Sequence, residues 1–169
     1  MSFYQPGQFI MYGNLGVCRV EAVSPLSFTR EHPREYYTLR PLYAGSNDRI
    51  YVPTSTATFM RPILKPEEVA SSLESMKTAD VPIFCSRNQA ALTTHYQDLL
   101  HSNELLDRMK LFKELSQKEA LQKRQGKKLN ATDMHFYKLT EQLISEEFAL
   151  AMNETPVAAR AKLHSAALS

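Results

Sequence analysis

A chain of 169 residues can hold one or two domains with real cores, but it is too short for a large enzyme. Its composition is that of an ordinary soluble globular protein. No apolar run nears the roughly 18 residues a membrane span needs, and Phe9 to Tyr12 is too short for a signal-peptide core, so a cytoplasmic protein is expected. The formal net charge of +2 is unevenly spread. Arg108, Lys110, Lys113, Lys118, Lys123, Arg124, Lys127 and Lys128 crowd one stretch, against Asp107 at its edge and Glu114 and Glu119 inside it. Such an excess attracts polyanions, although a plain solvated helix face reads the same way.

Taken in order, Pro6-Gly7 signals a turn, and two β-rich runs, Phe9 to Tyr12 and Val17 to Val23, flank Gly13, Asn14 and Gly16. The second run alternates, with Val17, Arg19, Glu21 and Val23 on one side and Cys18, Val20 and Ala22 on the other. Ser24 to Arg34 is a polar loop. Glu35 to Leu42 reads as the next strand, with Tyr37 and Leu39 on one face. Ala44 to Asp48 makes a turn, and Arg49 to Pro53 is a further strand stopped by a proline. Short strands with no helix between them predict a small SH3/Tudor-like antiparallel β-barrel over residues 1–62.

From residue 63 onward the pattern becomes helical, giving an α+β protein whose second domain, 63–169, is an all-α bundle of four or five helices. Pro66 with Glu67 and Glu68 opens the first helix, with Val69, Leu73 and Met76 as its apolar stripe. Asp80 to Phe84 interrupts. Ala90 to His101 carries Leu92, Tyr96, Leu99 and Leu100 on one side, and Ser102 caps a long helix through Leu105, Met109, Phe112 and Leu115. Gly126 ends it. Asn130 caps a helix over about Ala131 to Met152, and Thr155-Pro156 opens a last one with Val157, Leu163 and Leu168.

Chemistry finds little to work with. No histidine pair has metal-ligand spacing, Cys18 and Cys85 lie far apart and read as buried free thiols, and no phosphate-cradling glycine loop or nucleophile motif occurs. No cofactor, metal or small-molecule substrate is expected, and the chain reads as a non-enzyme. Binding remains: a sheet edge can accept another chain's strand, and basic helices can lie along a phosphate backbone.

Residues Phe3, Gly7, Ile10, Tyr12, Gly16 and Val17, then Tyr36-Tyr37-Thr38-Leu39, Val52-Pro53 and Arg61, follow one another as in the CarD/CdnL family of bacterial RNA polymerase-binding transcription regulators. In the helical half Tyr96, Leu100, Leu129-Asn130 and Glu147-Phe148-Ala149-Leu150-Ala151 continue the series. The chain resembles that family over nearly its whole length, and its first domain resembles the polymerase-interacting module of transcription-repair coupling factors. The resemblance implies a Tudor-like domain that docks the RNA polymerase β subunit, here through Tyr36, Tyr37, Arg49, Tyr51 and Pro53. It also implies a helical domain that contacts promoter DNA at the edge of the bubble, without sequence specificity, and so modulates open-complex stability. Phe84, Arg87, Lys118, Lys123, Arg124, Lys127 and Lys128 are the expected DNA contacts. The family sets a tryptophan wedge against the minor groove. This chain has no tryptophan, and family spacing puts Phe84 there, or Cys85 if the loop differs by one; Phe84 as a core plug between the domains is the competing reading. Gln8, Leu92 and Tyr51 stand where the family often has Asp, Arg and Arg. An adaptor of the same fold that binds protein but not DNA is the alternative function.

Overall fold

The computed structural model describes residues 4–13, 15–26, 33–43, 48–56, 60–102 and 105–168. The chain divides into two compact units, Met1–Ile63 and Leu64–Ser169.

The first unit is a five-stranded sheet in the order β4-β3-β2-β1-β5. Its strands are β1 (Phe9–Tyr12), β2 (Gly16–Leu26), β3 (Arg34–Pro41), β4 (Ile50–Pro53) and β5 (Met60–Pro62), and every neighbouring pair is antiparallel. The chain enters through the Pro6-Gly7 turn, closed by the Gln8 N–H on the Gln5 carbonyl at 3.1 Å with Gly7 at φ 92°, a conformation that favours glycine. β1 and β2 then form a hairpin, Tyr12 opposite Gly16; Asn14 of its turn lies outside the described residues. Ile10, Cys18, Val20, Tyr37, Leu39 and Val52 form the buried core. Tyr4 packs edge-on against Tyr37, ring centroids 5.7 Å apart, and its hydroxyl donates to the Met60 carbonyl at 3.0 Å.

Two expectations for this unit are corrected. The sheet does not close into a barrel: among the described residues β4 and β5 are its two edges. Both are short, and each ends in a proline with no N–H to offer a neighbour, at Pro53 and Pro62. The simple alternation along β2 also fails. The register to β3 shifts between Val20 and Ala22, so Glu21 is the extra residue of a bulge. The bulge brings its carboxylate to Arg49, in an ion pair, and to Arg40 at 3.8 Å.

The second unit holds five helices: α1 (Pro66–Thr78), α2 (Gln89–Leu100), α3 (Leu105–Arg124), α4 (Ala131–Met152) and α5 (Pro156–Ala167). The starts of α1, α4 and α5 follow the sequence signals; that of α3, where Ser102 was expected to cap, adjoins residues 103–104, which lie outside the described residues. The Asn130 side chain accepts the Asp133 N–H at 2.8 Å, Thr155 accepts the Ala158 N–H at 3.2 Å, and Pro66 and Pro156 occupy first-turn positions. Gly126, at φ 71°, takes the left-handed conformation just past α3. α3 touches each of the other four helices, and Met109, Leu111, Phe112 and Leu115 are buried along it. So, unexpectedly, are Arg108, Lys113, Glu114, Ser116 and Lys118. The stripe expected on α5 is partly outward, since Val157 and Leu168 are exposed while Leu163 is buried. No described helix is long and apolar enough to cross a membrane.

Candidate interaction surfaces

The first surface is the β4 edge. The Thr54 N–H donates to the Glu35 carbonyl at 3.0 Å, which marks that pair as hydrogen-bonded. By the alternation of an antiparallel ladder, Val52 and Ile50 turn their backbone groups toward Tyr37 and Leu39. The backbone groups of Tyr51 and Pro53 therefore face outward. This agrees with Pro53, which could not donate inward.

The Tyr51 side chain is 48% exposed, Arg49 is exposed in its pair with Glu21, and Tyr36 and Pro53 are half-buried. Tyr37 is a correction. At 1% exposure it belongs to the core, because β3 turns alternate side chains inward and Tyr37 and Leu39 share the buried face. Of the sequence-predicted docking residues, Tyr36, Arg49, Tyr51 and Pro53 thus gather at one edge, without Tyr37.

The second surface lies around Phe84, in the non-helical segment between α1 and α2. Phe84 is 36% exposed, its ring stacked on His95 of α2 with centroids 4.5 Å apart and planes inclined by 29°. It is therefore not a core plug within the helical unit. Arg87 beside it is exposed, and so is Cys85, contrary to the expectation of a buried thiol; only Cys18 is buried.

Beneath them lies a polar interior. The Lys118 ammonium, 4% exposed, donates to the Phe84 carbonyl at 3.1 Å, the Tyr96 hydroxyl at 3.2 Å and Asp133 Oδ1 at 3.1 Å. The Tyr96 hydroxyl in turn donates to Asp133 Oδ1 at 2.5 Å. Burial pushes the Tyr96 phenol far above its usual range, and the adjacent Asp133 carboxylate raises it further. Burial likewise raises Glu114, against the pull of His95, the Phe84 N–H and Lys118.

The third surface is the remaining basic cluster. Lys123, Arg124, Lys127 and Lys128 are exposed at the end of α3 and in the turn to α4. Lys123, Lys127 and Lys128, with Glu119, Leu129 and Met134, rim a shallow hollow of about 410 Å³. Lys118, predicted to lie with them, does not: it is an interior residue, and a duplex cannot reach it. Arg108 and Lys113 are buried too. The Arg108 guanidinium donates to the Leu100 carbonyl at 3.2 Å, and the Lys113 ammonium donates to the carbonyls of Met76, Lys77 and Ala79 at 2.5, 3.2 and 2.9 Å.

Sequence reasoning missed His95, Glu114 and Asp133. They come from three different helices, and no spacing along the chain brings them together. Among the described residues no group of three or more His, Cys, Asp or Glu could hold a metal ion.

No curated protein matches the chain. Residues 4–64 match the family model described as the CarD-like/TRCF RID domain. That stretch covers the whole described sheet, and the helical unit from Lys65 onward lies outside it. The match supports a CarD-like RNA polymerase-interacting domain as the N-terminal unit of this protein.

Proposed function

We propose that this protein is a non-enzymatic transcription regulator that docks the RNA polymerase β subunit through the β4 edge and touches promoter DNA with its helical unit. The observation that carries this reading is the CarD-like/TRCF RID match over residues 4–64, on a unit whose edge strand displays an exposed Tyr51. An edge strand offers backbone hydrogen bonds to an incoming strand, and an exposed aromatic beside it supplies the kind of anchor that dominates interface energetics. Pro53, lacking an N–H, limits the paired stretch to a few residues. At the other end of the reading, Phe84 and Arg87 meet the duplex near the bubble edge, and Lys123, Arg124, Lys127 and Lys128 neutralise phosphates.

The test is co-purification of the full chain with bacterial RNA polymerase. The expected result is a complex that Tyr51→Ala weakens by about tenfold or more; no association with the enzyme refutes the reading. Phe84→Ala is expected to shorten the promoter open-complex lifetime while polymerase binding is retained.

A second reading, a polymerase-bound adaptor without a DNA role, draws on the burial of Arg108, Lys113 and Lys118, which takes three cations away from the surface. A gel shift at low salt separates the two. The DNA reading expects a shift that Lys127→Glu with Lys128→Glu abolishes, and the adaptor reading expects none.

A further inference from the structure

Residues 79–88, between α1 and α2, form no regular secondary structure, yet Phe84 in their midst is held at two points. Its carbonyl accepts the Lys118 ammonium at 3.1 Å. Its ring lies on the His95 imidazole, 4.5 Å between centroids. His95 is itself fixed, with Nε2 at 2.9 and 3.0 Å from the two Glu114 carboxylate oxygens. Glu114 is buried on the central helix α3, so a buried carboxylate holds the ring on which Phe84 rests.

An aromatic side chain on an irregular segment would otherwise sample several rotamers and lose that freedom on binding. Here one side of the ring is covered, while over a third of the residue stays open to solvent. The covering group is flat, as offset stacking requires. Nothing else about the segment demands this arrangement: an exposed phenylalanine could as well have folded onto the apolar core.

We infer that His95 is a positioning residue, a flat seat clamped by Glu114 that presents the Phe84 ring to its partner in one preset orientation. That the partner is DNA rests on the reading given above; the seat itself does not. With DNA as partner, a pre-set ring enters a base step at less entropic cost than a free one.

The natural chain has no tryptophan, so Phe84→Trp installs a lone reporter in the full-length protein. An imidazole stacked on an indole quenches its emission. In that background His95→Ala is expected to raise emission and to open the indole to acrylamide. His95→Phe is expected to raise emission too, since the imidazole is gone, but to keep acrylamide out because a flat ring is restored. Emission and acrylamide access unchanged by His95→Ala overturns the proposal, as does equal acrylamide access in both variants, the result of general loosening.

With Phe84 intact, His95→Ala is expected to shorten the promoter open-complex lifetime by about 2- to 10-fold, which corresponds to ~0.4–1.4 kcal/mol for a lost aromatic pair, and His95→Phe to recover it. If the fluorescence results hold and the lifetime does not move, the seat stands and the DNA reading fails.

Discussion

Lys118→Met tests whether the basic run of α3 serves the interior or the surface. Methionine keeps the length of the side chain and removes its charge. Asp133 Oδ1 would then retain the Tyr96 hydroxyl at 2.5 Å. Oδ2 lies 3.0 Å from the ammonium but off the hydrogen-bonding line, so it would lose its electrostatic partner outright. The Phe84 carbonyl would lose its donor as well.

Removing one side of a buried ion pair costs about 3–5 kcal/mol, because the remaining charge stays buried without compensation. For a unit of this size each kcal/mol lowers the melting temperature by roughly 4–8 °C, so a fall of at least about 12 °C is expected. Lys118→Met combined with Asp133→Asn is expected to regain most of that loss, since the carboxylate charge then goes too. Lys123→Met, on the surface, is expected within about 0.5 kcal/mol of the natural protein. Thermal and urea unfolding followed by circular dichroism read these differences. A Lys118→Met protein as stable as Lys123→Met, with weakened DNA binding, would refute the interior role.

Lys113→Met strips the ammonium from three carbonyls at the end of α1. A charged hydrogen bond contributes about 1.5–3 kcal/mol, so a loss in that range is expected, with amide exchange accelerating first in the last turns of α1. Gly126→Ala meets nothing within 4 Å of the new Cβ. Its cost is therefore backbone strain at φ 71° alone, about 1–2 kcal/mol by thermal melting, and Gly126→Asn is expected to lose less. Cys85 is exposed and Cys18 buried, and burial pushes the Cys18 thiol up to about 11; a thiol reagent at mild pH is expected to titrate one group in the native protein and the second only in guanidinium. Because the folded thiol ionises later than the unfolded one, whose ordinary value is 9.0, Cys18 contributes stability that declines as pH rises from there toward about 11. Cys18→Ala should flatten that part of the stability curve.

The sequence was most legible where a single residue dictates local geometry. Asn130, Thr155, Pro66 and Pro156 set helix starts through one side chain or one ring, and α4 runs over Ala131–Met152 as the caps and apolar spacing require. Four strands of the first unit were equally visible, but β5 (Met60–Pro62) was not read, and Ser24 to Leu26, expected in a loop, continue β2. Closure of the sheet was not visible either, because whether β4 and β5 meet depends on long-range register and on chain between them, not on either strand's pattern. The bulge at Glu21 was hidden for a related reason. An extra residue is defined only against the partner strand, and β3 is not adjacent in sequence at that point. Tyr37 was misassigned to the surface although its own alternation with Leu39 placed it inward: the resemblance to a family motif outweighed a two-residue period.

The basic run was misread for a more instructive reason. A helix that touches four others has little solvent face, so its polar side chains must find partners inside. What the interior offers is the carbonyl ends of other helices, each with backbone acceptors that lack helical donors. Arg108 reaches the end of α2, Lys113 the end of α1, and Lys118 the carbonyl of Phe84. These positions recur every five residues, which turns each cation toward a different neighbour rather than along one stripe. Toward the end of the helix Lys123 and Arg124 come into solvent, as do Lys127 and Lys128 after it. Of the basic run, the exposed charge therefore lies at the end of α3 and in the turn to α4, while Arg87, Lys65 and Lys138 are exposed elsewhere on the helical unit. With each phosphate contact worth about 0.9 in the slope of log K against log salt, the α3–α4 cluster can supply no more than about 3–4. A measured slope well above that would require exposed cations outside the cluster, such as Arg87, Lys65 and Lys138, to reach phosphates as well.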